Sequence, residues 1–136
     1  MKIKNDFVTN SSSTSFIIIT NEEFSEEKFF KNMGINTDSG FSFIFHELYR
    51  SVKHEMEPFR EYIKDLLSDG ESVEDYLKDN YSIEVAEKVL MSERNGKNVY
   101  MGRLRSDNNE YESFFCMDSF CSEDSELYFN GIECGW

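Results

Sequence analysis

The chain has 136 residues, a length typical of one domain, and we expect a single domain over residues 1–136. Its 13 Phe, 7 Tyr and 1 Trp argue against a fully disordered chain. The formal net charge of −13 disfavours autonomous binding to a phosphate backbone or to an anionic membrane surface. The longest apolar run, residues 16–19, falls far short of the roughly 18–20 residues that cross a bilayer. The N-terminus lacks the apolar core of a signal peptide, so we expect a cytoplasmic protein.

A strand and a short helix are the first predicted elements. Residues 16–20 are apolar and β-branched, which predicts a buried strand. Acidic residues follow Ser25, where they suit the positive end of a helix dipole, and Gly34 is a typical helix stop. The pattern therefore predicts a helix over roughly residues 22–33.

The strongest helical pattern runs from residue 41 to residue 67. Apolar side chains recur there every three or four residues and form one stripe: Phe45, Leu48, Val52, Met56, Phe59, Ile63 and Leu66. Pro58 lies inside this stripe, removes one backbone donor and clashes with the preceding turn. We therefore expect a kink, or two helices joined near Glu57, with the stripe mostly buried.

Two further helices are predicted from their caps. Ser72 with Asp75 three residues later resembles a capping box and begins a short helix. Ser82 begins another helix, which we expect to end near Asn95 and Gly96.

Strands are predicted over residues 99–104 and 126–129. Gly102 inside the first of them indicates a bulge or a close backbone approach. Asn130-Gly131 is a turn signal, after which residues 132–136 would pair back as a last strand. Residues 111–120 fit a strand and a helical turn equally well.

These elements predict an α+β fold. A small, mostly antiparallel sheet combines the N-terminal strand with the C-terminal strands. The helical middle of the chain, residues 41–94, would pack on one face of that sheet.

The charge is distributed unevenly. All 14 Lys and Arg lie at or before Arg105, so residues 106–136, with eight acidic residues, carry a charge of −8. One interpretation is a solvated acidic face that keeps a small domain soluble. The other is a surface for a basic protein partner, for which the candidate residues are Asp118, Glu123, Asp124, Glu126 and Trp136.

Cys116, Cys121 and Cys134 lie in the same segment, and three thiolates at one end of a small domain form a possible zinc site. The fourth ligand would come from His46, His54 or Asp118, and we take His46 as the candidate. The alternatives are three buried free thiols in a reducing cytosol, or a disulfide.

The segment Asn5-Asp6-Phe7-Val8-Thr9-Asn10-Ser11-Ser12-Ser13-Thr14-Ser15-Phe16-Ile17 resembles a recurring start of bacterial and phage proteins of unknown function. Those proteins begin with a short basic stretch, then Gly-Phe-Val-Ser-Asn, then a run of Ser and Phe. Asp6 stands here in place of the glycine. The resemblance implies a bacterial or mobile-element origin and transfers no catalytic residue. In size, charge and implied origin the chain also resembles phage anti-CRISPR proteins, several of which imitate DNA with carboxylates.

No catalytic signature is recognisable in the sequence, and we expect a non-enzymatic, acidic binding protein. The anti-CRISPR resemblance implies that it would inhibit a nucleic-acid-handling protein in the cytoplasm of a bacterial host. The most specific form of this expectation is inhibition of a Cas9-type effector. The alternatives are a small enzyme, a ligand- or metal-binding module, or a structural phage or host protein. A large polar cleft would favour an enzyme, and clustered carboxylates on a rigid face would favour the inhibitor.

Overall fold

A computed structural model describes residues 13–36, 38, 40, 42–105, 120–131 and 134–135. The strands are β1 (Ser13–Thr20), β2 (Glu57–Pro58), β3 (Asn98–Arg105), β4 (Phe120–Glu123), β5 (Leu127–Gly131) and β6 (Cys134–Gly135). The helices are α1 (Glu26–Met33), α2 (Ser42–Glu55), α3 (Phe59–Lys64), α4 (Val73–Asn80) and α5 (Ile83–Arg94). This confirms the predicted α+β fold. Within these ranges, the helices are too short or too polar to cross a membrane.

The sheet is antiparallel, with the strand order β2-β3-β1-β5-β4. Strand β1 lies at its centre, between β3 and β5, and β6 pairs with the first residues of β1. Residues 15–20 of β1 are all buried, because this strand is covered on both faces. The apolar run that predicted a buried strand is therefore the central strand.

Helices α1 and α2 cover the first face of the sheet. Phe16 and Ile18 of β1 and Phe129 of β5 pack there with Phe29 of α1 and Leu48 of α2. The rings of Phe16 and Phe129 stack with centroids 5.8 Å apart. We call this cluster the first core.

Helices α3, α4 and α5 cover the opposite face. Ile17 of β1 and Met101 of β3 pack there against Ile63, Leu77 and Val89, one from each helix. We call this cluster the second core. The expectation that residues 41–94 would pack on one face is therefore wrong, since α2 lies on the first face and α3 to α5 lie on the second.

The chain crosses from one face to the other at Pro58. Helix α2 ends at Glu55, and Glu57 and Pro58 then pair with Met101 and Tyr100 of β3 at the edge of the sheet. Helix α3 begins directly afterwards on the other face. The predicted break is confirmed, but the stripe is divided between two cores and its last member, Leu66, is 46% exposed.

Serine caps define three helix starts. The hydroxyls of Ser25, Ser72 and Ser82 accept hydrogen bonds from the backbone N–H three residues later. Two helix ends also agree with expectation: Gly34 ends α1 in the left-handed conformation, and α5 is capped by Asn95.

The predicted turn at Asn130-Gly131 is wrong. Both residues lie inside β5, where Asn130 pairs with Ile17 and Cys121, and Gly131 pairs with Phe120. The Asn130 side chain is fully buried and donates to the Tyr128 hydroxyl at 2.7 Å, so its amide is satisfied within the sheet. The last strand, β6, pairs with β1 and not with β5.

Candidate functional site

The connection between β4 and β5 brings three of the predicted partner-binding residues together. Glu123 ends β4, and Asp124 and Glu126 lie in the turn before β5 begins at Leu127. Because β4 is an edge strand, this turn lies at one margin of the sheet. We call Glu123, Asp124 and Glu126 the β4–β5 carboxylates.

Asp124 has a structural role in the turn. Its carboxylate accepts the backbone N–H groups of Glu126 and Leu127, with N–O distances of 2.8 and 2.9 Å. Burial raises the pKa of Asp124, but these two backbone bonds, a side-chain hydrogen bond from Asn32 and the charge of Lys31 together outweigh it. The pKa of Asp124 therefore lies below its ordinary value, and the ionised carboxylate holds the turn.

Glu123 and Glu126 each have a basic neighbour within the chain. The Lys88 Nζ lies 2.5 Å from Glu123 Oε2 and 4.7 Å from the centroid of the Tyr128 ring. The Lys31 Nζ lies 3.7 Å from Glu126 Oε1. The three carboxylates and two ammonium groups leave this region with a local charge of −1, much lower than the sequence alone indicates.

A small cavity beside the turn has a volume of about 30 Å³. It is lined in part by Asn21, Lys88, Glu123 and Glu126. This volume holds only one or two water molecules. The β4–β5 carboxylates therefore suit contact with another surface better than enclosure of a small molecule.

The remaining predicted partner-binding residues, Asp118 and Trp136, lie outside the described residues. The same is true of Cys116 and of the Cys121 and Cys134 side chains. The backbones place Cys121 opposite Asn130 of β5 and Cys134 opposite Thr14 of β1. The cysteine part of the zinc prediction stays a prediction.

His46, the candidate fourth zinc ligand, lies on α2 with its side chain about half exposed. Its Nδ1 contacts the carboxylate of Glu26 in the first turn of α1. Among the side chains that the structure describes, no group of three or more His, Cys, Asp or Glu residues is arranged to hold a metal.

A second acidic region was missed by the sequence analysis. Residues 65–87 contain eight carboxylates and one base, Lys78, and extend from the end of α3 into α5. A count of charges in a sliding window would have found this segment.

An open cleft of about 540 Å³ lies at the end of the second face. Its lining is mixed in chemistry: Glu55, Glu57, Tyr62, Leu66, Arg103 and Arg105. The Arg103 guanidinium donates to the Ser15 hydroxyl at 2.9 Å. This volume falls in the range of small-molecule sites.

We compared the chain with protein-family models, with curated proteins and with solved structures. None of these comparisons finds a match.

Proposed function

We propose that the chain is a non-enzymatic, acidic binding protein that associates with a basic surface of another protein. The observation that carries the proposal is the net charge of −13 together with the gathering of the β4–β5 carboxylates at one margin of the sheet. An opposed field of this kind speeds the encounter of two proteins and orients them.

The ion pairs at the turn are compatible with this role because they are weak. The side chains of Glu123 and Glu126 are 52% and 42% exposed, and exposed ion pairs contribute only about 0–1 kcal/mol. An arginine from a partner can therefore replace Lys31 or Lys88 as the neighbour of a glutamate. Asp124 keeps the turn rigid during that exchange, since its carboxylate is bonded to the backbone.

The sharper form of the proposal is inhibition of a nucleic-acid-handling protein in a bacterial cytoplasm, such as a Cas9-type effector. Carboxylates held at a margin of the fold would occupy a groove that otherwise binds phosphates. The support for this form is the charge and the resemblance of the N-terminal segment to bacterial and phage proteins.

The cleft favours a second candidate function, a ligand-binding module. Its volume of about 540 Å³ and its mixed lining, with two arginines and two glutamates, suit a small polar molecule. Substitution of the cleft residue Tyr62 by Ala should then abolish the thermal stabilisation that such a molecule confers. Substitution of the β4–β5 carboxylates should leave this stabilisation intact.

The proposed function is tested by affinity capture from a bacterial extract at low salt. Wild type and the variant Glu123→Lys with Glu126→Lys are immobilised in parallel, and retained proteins are identified by mass spectrometry. We expect a basic protein retained by wild type and lost with the variant. In the sharper form of the proposal, added duplex DNA or guide RNA competes for that protein.

The matched control is Glu57→Lys with Glu61→Lys. Glu57 lies in β2 at the opposite edge of the sheet and Glu61 follows it in α3, so the control makes the same change in net charge far from the turn. Both residues are exposed. Equal loss of the partner with the control and the turn variant would contradict a role for the β4–β5 carboxylates.

A further inference from the structure

Helices α4 and α5 pack together and carry most of the second acidic region on their outer surfaces. The exposed carboxylates of α4 are Glu74, Asp75 and Asp79, and those of α5 are Glu84 and Glu87. Lys78 is the single base between residues 65 and 87.

Lys78 offsets only one of the carboxylates in this region. Its Nζ lies 3.0 Å from Glu74, and the hydrogen bond to that carboxylate, with the charges of Glu74, Asp75 and Glu87, raises the pKa of Lys78. A surplus of negative charge remains after Lys78 and Arg94, the exposed base at the end of α5, are counted against the five carboxylates.

Two large apolar side chains lie exposed on the same side of α5. Ile83 is 58% exposed and Met91 is 52% exposed. They are eight residues apart, about 12 Å along the helix axis, and Glu87 lies midway between them. Two apolar side chains flanked by carboxylates match the apolar centre and polar rim of a protein contact site.

This face also adjoins the β4–β5 carboxylates. Lys88, one residue after Glu87, turns toward the sheet and pairs with Glu123 of β4. A partner that covers α5 would therefore lie next to the turn.

We propose that the outer face of α4 and α5, centred on Ile83, Glu87 and Met91, is a docking surface for a basic amphipathic helix of a partner protein. The inference rests on the proposed function and adds the apolar part of the contact to it. Leucine-type side chains of the partner would cover Ile83 and Met91, and its lysines or arginines would face the carboxylates on either side. A helix fits because its side chains at positions i and i+7 or i+8 lie about 10–12 Å apart along the axis, which matches the spacing of Ile83 and Met91.

The test uses a synthetic peptide of Leu and Lys, about 18 residues long and amphipathic as a helix. A second peptide replaces each Leu by Ser and keeps every Lys. Binding of both peptides is measured by fluorescence anisotropy with wild type, with Ile83→Ser plus Met91→Ser, and with Phe43→Ser. Phe43 is the matched control, because it is 56% exposed on α2, outside the proposed surface.

Wild type should bind the leucine peptide at least about tenfold more tightly than the serine peptide, and the Ile83→Ser, Met91→Ser variant should lose this preference. Phe43→Ser should keep it. Since Ile83 and Met91 are largely exposed, circular dichroism should show an intact fold for the variant.

A preference for the leucine peptide that survives in the Ile83→Ser, Met91→Ser variant would overturn the inference, as would no preference in wild type.

The same assay also tests the proposed function, through the variant Glu123→Lys with Glu126→Lys. If this reversal weakens the binding of both peptides while the α5 variant leaves the binding of both unchanged, the peptides contact the turn. In that case only the inference about α4 and α5 fails. If the reversal leaves the binding of both peptides unchanged while the α5 variant removes the preference for the leucine peptide, the inference stands. In that case the proposed role of the turn is wrong.

Discussion

The packing around Gly102 leaves no room for a side chain. A Cβ atom at this position would lie 2.5 Å from Cζ of Phe16 and 2.8 Å from the backbone oxygen of Glu55. Phe16 is fully buried and stacked on Phe129, so its ring has no room to move away. The prediction that the glycine marks a close backbone approach is confirmed.

Gly102→Ala should therefore lower the free energy of unfolding by about 1–3 kcal/mol through overpacking. Gly40→Ala is the matched control, because nothing lies within 4 Å of its Cβ position. Urea denaturation of the two variants measures the difference. Equal stabilities would contradict the close packing of β3 against Phe16.

Asp124 links stability to pH. Its pKa is lowered in the folded state, so its contribution is present above its ordinary value of 3.8 and is lost as the pH falls through the lower folded pKa. Asp124→Ala should cost about 1–3 kcal/mol at neutral pH, since two backbone donors lose a charged acceptor.

The stability difference between wild type and Asp124→Ala should shrink as the pH falls below about 4. Thermal denaturation over a pH series measures it, with Ser125→Ala in the same turn as the control. A difference that stays constant into acid would contradict the role of the ionised carboxylate.

At the scale of elements, the features that depend on neighbouring residues, helix caps and a helix break, were predictable from the sequence. The hydroxyl caps at Ser72 and Ser82 and the break at Pro58 depend on neighbours within a few residues, and all three are confirmed. The split of the helical stripe between two faces was not predictable from periodicity. It depends on the pairing of Glu57 with Met101, more than 40 residues away. Sheet context likewise overrode the turn preference of Asn130.

The division into two cores has a measurable consequence. Leu48 belongs to the first core and Ile63 to the second, although both lie in one predicted stripe. Leu48→Ala and Ile63→Ala should each cost about 2–5 kcal/mol, and the double variant should show nearly the sum, because the sheet separates the two sites. Urea denaturation of wild type, the two single variants and the double variant tests this. A large interaction energy would contradict a sheet covered on both faces.

A bound zinc ion stays a prediction from Cys116, Cys121 and Cys134. We expect near-stoichiometric zinc by elemental analysis of protein purified without chelator. Cys121→Ser with Cys134→Ser should then remove the metal. Metal-free wild-type protein would favour the alternative of free thiols.

At the scale of the whole molecule, the sequence predicted a surplus of negative charge but not where it is neutralised. Lys88 and Glu123 are 35 residues apart, and they meet only because α5 packs beside the sheet. Lys31 reaches Glu126 from α1 in the same way. The β4–β5 carboxylates are consequently less negative than their segment indicates, whereas the exposed carboxylates of α4 and α5 outnumber the bases of these helices.

The central claim, association with a basic protein surface, is tested most directly by the association rate with the captured partner across a salt series. Wild type should associate quickly at low salt and more slowly as salt rises, because screening acts beyond about 8–10 Å. Glu123→Lys with Glu126→Lys should slow association by about tenfold at low salt and flatten the salt dependence, while Glu57→Lys with Glu61→Lys should have a smaller effect. Equal association rates for wild type and the turn reversal, with no dependence on salt, would contradict the claim.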